Sequence, residues 1–207
     1  MSGLRIKLCG VRRARDAELC ARAGADEIGL VFAPRSRRCV TVETAREIRA
    51  ALPAETRLVG VFQDAELAQA LRVAEEAGLS ALQLHGTLPQ PAGALPLYAA
   101  IQVEGEVALA RLGKLGGFRR VLLDGPGGGG GGVSFAWTLA QKARSLCAAE
   151  VFIGGGLTAQ NVAQAIRAGR PDGVDVASGI EGPDGFKDPA RVRDFVAAAR
   201  AAAEELR

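Results

Sequence analysis

A closed, eight-stranded parallel β/α barrel is the fold class this sequence predicts, on three observations. Strand-like apolar runs alternate with helix-patterned segments about eight times along the chain, at a spacing of roughly 16 to 30 residues. The series begins with a strand and ends with a helix, and parallel strands need crossovers of that kind. No Gly-x-Gly-x-x-Gly follows the first strand, as an open dinucleotide-binding sheet would want, so the doubly wound sheet is the weaker alternative.

The first strand, Arg5-Ile6-Lys7-Leu8, alternates charged and apolar residues and is ended by Cys9-Gly10. Ala17, Leu19, Cys20 and Ala23 give the segment from Ala14 to Ala23 helical spacing, and Gly24 stops it. Cys20 lies on that apolar face and reads as core. Ile28-Gly29-Leu30-Val31-Phe32 is apolar on both faces, as buried parallel strands are. A basic loop with Arg35, Arg37 and Arg38 around Ser36 then leads to a helix that Thr41 caps and that carries Ala45, Ile48 and Leu52.

The third unit is a strand from Arg57 to Phe62, ended by Gln63-Asp64, and a helix from Ala65 to Ala77. Ala81 to Leu84 is the fourth strand, ended by His85-Gly86. Its helix, between Leu88 and Ala94, is Pro-rich and the weakest of the set. Leu97 to Val103 and Glu106 to Leu115 make the fifth unit. Val121-Leu122-Leu123 ends in Asp124. After the tract Gly127 to Gly132, the segment from Trp137 to Cys147 reads as helix, with Cys147 in the core. Val151-Phe152-Ile153 runs into Gly154-Gly155-Gly156 and a helix from Ala159 to Ala168. Val174-Asp175-Val176 leads to Ala177-Ser178-Gly179. The last helix, Pro189 to Leu206, has proline in its first turn and is rich in Ala and Glu. No linker interrupts the series, so residues 1–207 are expected to form a single-domain (β/α)8 TIM barrel.

Composition excludes several partners. A net charge of +3, with no Lys/Arg run among aromatic residues, gives no ground for nucleic acid and fits an acidic small substrate only weakly. Four cysteines without a CxxC pair, and one histidine, argue against structural zinc and a His-rich catalytic metal site. No stretch approaches the roughly 20 apolar residues of a membrane helix, and the N-terminus lacks the apolar core of a secretory signal. The expectation is a cytoplasmic protein with reduced thiols and no membrane partner; monomer and homodimer are both left open.

In barrels of this class the site lies at the C-terminal strand ends. Those ends carry Cys9, the Ser36/Arg38 loop, Gln63-Asp64, His85, Gln102, Asp124, the triple glycine and Ser178-Gly179. Cys9 is either a small buried hydrophobe or a thiolate base, the latter if positive groups or backbone donors lower its pKa from about 8.5. Asp124 either bonds backbone groups in a turn or, with its pKa raised by desolvation, transfers a proton. His85 is as readily a structural imidazole as a catalytic one. The Arg35-to-Arg38 cluster is by default a solvated loop from which one member can turn inward to an anion. Glycines after the seventh and eighth strands suit a phosphate held by backbone N–H groups, or are tight turns only.

Six stretches then occur in the order and spacing of a known family. They are Lys7-Leu8-Cys9-Gly10, Gly60-Val61-Phe62, Gln83-Leu84-His85-Gly86, Leu122-Leu123-Asp124, Gly155-Gly156-Leu157 with Asn161-Val162, and Val174-Asp175-Val176-Ala177-Ser178-Gly179-Ile180-Glu181. Together they resemble the phosphoribosylanthranilate isomerases of tryptophan biosynthesis over nearly the whole chain. The resemblance implies an Amadori rearrangement of N-(5-phosphoribosyl)anthranilate to 1-(2-carboxyphenylamino)-1-deoxyribulose 5-phosphate, with no metal or organic cofactor. It implies Cys9 as general base, Asp124 as general acid, and Arg38 on the anthranilate carboxylate. Gln83, His85 and Asp175 join as substrate-binding residues, and Gly132, Gly155, Gly156, Ser178 and Gly179 as phosphate-binding ones. Another phosphosugar barrel, or a catalytically decayed one that only binds, are the alternatives. Three positions depart from the family: Arg12 where Thr is usual, Gly131 where a hydroxyl is usual, and Ala136 where Asp is frequent. Loss of the hydroxyls at positions 12 and 131 is expected to touch phosphate and loop contacts, and none of the three changes touches Cys9 or Asp124, so affinity is affected more than chemistry.

Overall fold

A computed structural model describes residues 3–125 and 135–206. Its strands are β1 (Arg5–Cys9), β2 (Glu27–Val31), β3 (Arg57–Gln63), β4 (Ala81–His85), β5 (Leu97–Gln102), β6 (Arg120–Asp124), β7 (Glu150–Ile153) and β8 (Gly173–Val176). They close a parallel barrel in sequence order, with β8 pairing back on β1 through Lys7 opposite Asp175. The helices among the described residues are α1 (Ala14–Arg22), α2 (Val42–Ala50), α3 (Leu67–Ala77), α4 (Leu139–Leu146), α5 (Val162–Gly169) and α6 (Pro189–Glu204). None of them is long and apolar enough to cross a membrane.

The alternation along β1 points the opposite way from a simple hydrophobic-in reading. Ile6 and Leu8 belong to the large apolar layer between strands and helices, as do Ile28, Leu30, Leu82, Leu123 and Val174. The other parity (Arg5, Lys7, Cys9) faces the barrel axis, where side chains stack in layers. Apolar and aromatic side chains fill much of that interior: Val59 with Ala81 and Tyr98, and Ala100 with Leu122 and Phe152.

Helix ends follow local chemistry. Thr41 accepts from the Thr44 amide at 3.1 Å, and Asp188 accepts from the Ala190 and Arg191 amides at 2.9 Å each, ahead of Pro189. Two expected helices are absent. Between β4 and β5 there is no helix, because Pro89, Pro91 and Pro96 lack donors and push their preceding residues out of the α region. The segment Glu106–Lys114 is 3₁₀ rather than α, bracketed and interrupted by Gly105, Gly113 and Gly116. Cys20 is buried as expected, whereas Cys147 is only half-buried and closes the end of α4 with its thiol against the Ala143 carbonyl.

The N-terminal end of the barrel is plugged by charge. Glu27 and Arg120, both fully buried, bond across the axis, Nη2 to Oε1 at 2.9 Å. Tyr98 Oη donates to the same carboxylate, and the Arg120 guanidinium lies 4.0 Å from the Tyr98 ring centroid and 3.6 Å from that of Phe152. Arg5 and Glu150 pair beside them.

Candidate active site

At the opposite end the strands open into a cavity of about 580 Å³. Its wall holds every described candidate except Gly179: Cys9 and Asp124, Arg38, Gln83, His85 and Asp175, and Gly155, Gly156 and Ser178. Gly179 stands just behind, where a Cβ would come within 1.9 Å of the Leu157 carbonyl oxygen. The turns after β7 and β8 are thus packed against each other. Gly155 has φ +74°, a backbone state that side-chain-bearing residues rarely adopt. Gly132 and Gly131 lie outside the described residues.

Cys9 ends β1 with its side chain toward the axis, buried with Val31 and Val61. The neighbouring strand makes room for it: a Cβ on Gly29 would sit 2.6 Å from the sulfur. Burial pushes the thiol up, Lys7 and Lys187 pull it down, and burial wins. That corrects the condition set from sequence. Positive groups do stand near Cys9, yet they only moderate the rise.

Asp124 ends β6 and is buried. Desolvation, reinforced by the Asp175 carboxylate, pushes its pKa from 3.8 to about 6, while the Gly125 amide holds it back. A carboxyl in this state is protonated in part near neutrality, as a general acid requires. Between the two sits a pair that sequence reasoning only half identified. Lys7 Nζ donates to Asp175 Oδ1 at 2.9 Å, with Lys7 1% exposed. Burial alone would discharge this ammonium, but the Asp175 carboxylate beside it keeps it charged. Lys7 opened the motif that carries Cys9, and its inward parity is the signal that could have singled it out.

His85 meets Gln83 with the two Nε2 atoms 2.9 Å apart. With the amide as placed, the imidazole accepts there and carries its proton on Nδ1. Burial, and then Lys7, lower its pKa to about 4, so it is neutral. Arg38 has turned inward, while Arg35 and Arg37 are exposed as the default reading expects. Its Nε reaches Glu181 Oε1 at 2.6 Å and its Nη2 reaches Oε2 at 2.9 Å. Lys187, also buried, donates to Glu181 at 3.2 Å. Glu181 closed the last family motif without attracting notice, and nothing in the local sequence marked Lys187.

The departure at position 12 has a structural use. Arg12 Nη2 donates to the Gly185 carbonyl at 2.8 Å, and its guanidinium lies 4.3 Å from the Phe186 ring centroid. A long cation there fastens the loop between β8 and α6. Ala136 is exposed. Among the described residues no group of three or more His, Cys, Asp or Glu side chains is arranged to hold a metal ion.

The site thus offers a desolvated carboxyl and a thiol at opposed strand ends, a buried guanidinium, and paired glycine-rich turns. Comparison with known proteins points the same way. The family described as N-(5'phosphoribosyl)anthranilate (PRA) isomerase matches residues 6–198. N-(5'-phosphoribosyl)anthranilate isomerase of Myxococcus xanthus is 40% identical over 205 residues, covering 95% of this chain and 96% of its own. A crystal structure of phosphoribosyl anthranilate isomerase from Thermotoga maritima has a TM-score of 0.88 at 35% identity, covering 96% of this chain and 99% of that one. A crystal structure of phosphoribosyl anthranilate isomerase in complex with reduced 1-(o-carboxyphenylamino)-1-deoxyribulose 5-phosphate has a TM-score of 0.84 at 33% identity, covering 96% of this chain and 99% of that one. This chain belongs to the N-(5'-phosphoribosyl)anthranilate isomerase family.

Proposed function

We propose that this chain converts N-(5-phosphoribosyl)anthranilate to 1-(2-carboxyphenylamino)-1-deoxyribulose 5-phosphate, with Asp124 as general acid and Cys9 as general base. The observation that carries the assignment of roles is the pairing of a carboxyl raised to about 6 with a thiol on the same cavity wall.

Asp124 gives its proton to the ribose ring oxygen, the C1–O bond breaks, and the nitrogen lone pair forms an iminium at C1. The iminium acidifies the C2 hydrogen, which Cys9 removes, and the electron pair closes the C1=C2 bond of an enolamine. Tautomerisation places a proton on C1 and takes one from the C2 hydroxyl, leaving the ketone. C2 is oxidised as C1 is reduced, so the electrons balance within the substrate. Burial holds Cys9 toward its protonated form, so the thiol proton leaves to solvent before the C2 hydrogen is taken, and the cation formed at C1 favours the resulting thiolate. Lys7, on the same strand face, lends standing positive charge. Each proton transfer contributes roughly 10² to 10⁴-fold, with positioning in addition.

Arg38 is assigned to the anthranilate carboxylate, Gln83, His85 and Asp175 to the rest of the substrate, and Gly132, Gly155, Gly156, Ser178 and Gly179 to the phosphate. The backbone amides of adjoining turns are the kind of donor that phosphate takes. This reading goes with a cytoplasmic enzyme whose 207 residues act as one catalytic domain, as monomer or homodimer, without nucleic acid or membrane.

Supplying N-(5-phosphoribosyl)anthranilate and following loss of its fluorescence tests the activity. Turnover by purified protein is expected; binding without turnover would leave a decayed, binding-only barrel instead.

A further inference from the structure

We propose that Glu181 is a positioning residue for substrate recognition, fixing the Arg38 guanidinium so that its remaining N–H edge meets the substrate carboxylate. The inference rests on the assignment of Arg38 to that carboxylate. Glu181 lies outside the cavity wall and touches no reacting atom in this scheme.

Arginine carries five N–H donors in a rigid plane, so holding two of them fixes the direction of the rest. Glu181 holds Nε at 2.6 Å and Nη2 at 2.9 Å, a bidentate fork. Nη1 makes no hydrogen bond among the described residues, and Arg38 lines the cavity. The stem is fixed as well: a Cβ on Gly10 would come within 2.4 Å of Arg38 Cδ, so the glycine after Cys9 is where the arginine passes. An arginine free in a solvated loop would have to give up its rotamer freedom when substrate binds. Here that loss is taken on folding.

The carboxylate is itself held without cancelling the charge. Lys187 Nζ donates to Glu181 Oε1 at 3.2 Å and to the Ala177 carbonyl at 3.0 Å, and Arg37 Nη2 reaches Oε2 at 3.0 Å. Arg37 and Arg38 already outnumber the one carboxylate, and Lys187, whose pKa burial lowers against the pull of Glu181, adds to them, so the cluster stays net positive toward an anionic ligand. Burial works against the Glu181 charge, but Arg38 and Lys187 keep it ionised. A short antiparallel bridge joins Glu181 to Lys187, and Arg12 anchors Gly185 within the same loop. The clamp is therefore braced from the β1 side.

A double-mutant cycle separates positioning from mere support. KM, kcat and the affinity for reduced 1-(o-carboxyphenylamino)-1-deoxyribulose 5-phosphate are measured for the parent, Arg38→Ala, Glu181→Gln and the double variant. Affinity for an otherwise identical ligand without the ring carboxylate is measured alongside. Glu181→Gln is expected to raise KM about tenfold with kcat within about threefold, and to add less than about twofold when Arg38 is already alanine. It should leave affinity for the carboxylate-free ligand unchanged. Equal effects of Glu181→Gln with and without Arg38, or equal weakening of both ligands, would overturn the inference. If Arg38→Ala leaves KM unaltered while Glu181→Gln raises it, the carboxylate assignment fails and the inference with it. Glu181→Asp, which keeps the charge but shortens the reach, carries the same cycle if the glutamine variant does not fold.

Discussion

The barrel buries charge at both of its ends, and the two ends treat it differently. At the N-terminal end Glu27 and Arg120 bond each other, Tyr98 and the Phe152 face complete the set, and Ala100 and Leu122 pack against Phe152. At the mouth Lys7 and Asp175 form a comparable pair, but among the described residues Asp124 has no cation in direct contact, and Cys9 is met by Lys7, which Asp175 already pairs; both face an open cavity. Both ends pay the desolvation cost of buried polar groups. At the closed end the ion pair overrides that cost and holds both groups charged, Glu27 lowered and Arg120 raised; at the mouth burial wins and raises Cys9 and Asp124 toward their protonated forms, which is a displacement proton transfer can use. A saturated network gives a fixed structure; a deliberately incomplete one gives chemistry.

The sharpest way to break this contrast is at the incomplete groups. Cys9→Ala and Asp124→Asn should each lower kcat by roughly 10² to 10⁴-fold, with a much smaller change in KM. Near-normal turnover by either variant, followed by substrate fluorescence, would strike that residue from the mechanism. At the saturated end, Glu27→Gln should leave kcat of the surviving folded protein at parent level. It should cost about 3–5 kcal/mol of stability in denaturant melts, because Arg120 loses its buried counter-charge. A fall in kcat with little change in stability would erase the distinction between the two ends.

A smaller effect runs in the stabilising direction. Folding raises the Asp124 pKa from 3.8 to about 6, so between those values the native state holds a proton that the unfolded chain has released. The stability this confers is lost as pH rises through about 6, and at pH 8 the buried carboxylate opposes folding. Asp124→Asn should therefore be more stable than the parent at pH 8, by on the order of 2 kcal/mol, and the gain should vanish near pH 4. A variant less stable at pH 8 would mean that the carboxylate has partners that the geometry does not show. The smallest effect expected is that of His85→Asn on the pH profile. The limb of kcat/KM near pH 6 belongs to Asp124, and His85, with a pKa of about 4, carries no charge there. A limb that disappears with His85 would transfer the titration to the imidazole.

Much of the site was legible because it sits at strand ends. Cys9, His85 and Asp124 each end a strand-patterned stretch and precede a glycine, which is how a β/α unit marks its C-terminal rim. The helix expected between Leu88 and Ala94 was not there, since three prolines outweighed the periodicity of the repeat. Lys7 and Arg5 alternated with Ile6 and Leu8, a pattern that fixes parity but not which parity faces inward. An isolated sheet would turn its apolar face to the core. This barrel has two interiors, and Ile6 and Leu8 went to the helix-facing one.

The sequence by itself determined the number and order of the strands, the closed parallel class that follows from them, and which residues stand at the rim. These depend on local pattern: periodicity, glycine and proline punctuation, and one polar side chain after each apolar run. Only the tertiary structure decided that Arg38 turns inward while Arg35 and Arg37 do not, that Glu181 and Lys187 hold it, and that the Cys9 thiol is raised rather than lowered. Arg38 and Glu181 are 143 residues apart, and Cys9 is governed by burial and by cations from β1 and the loop before α6. Desolvation and charge act through space across the closed barrel, and no local pattern carries that distance.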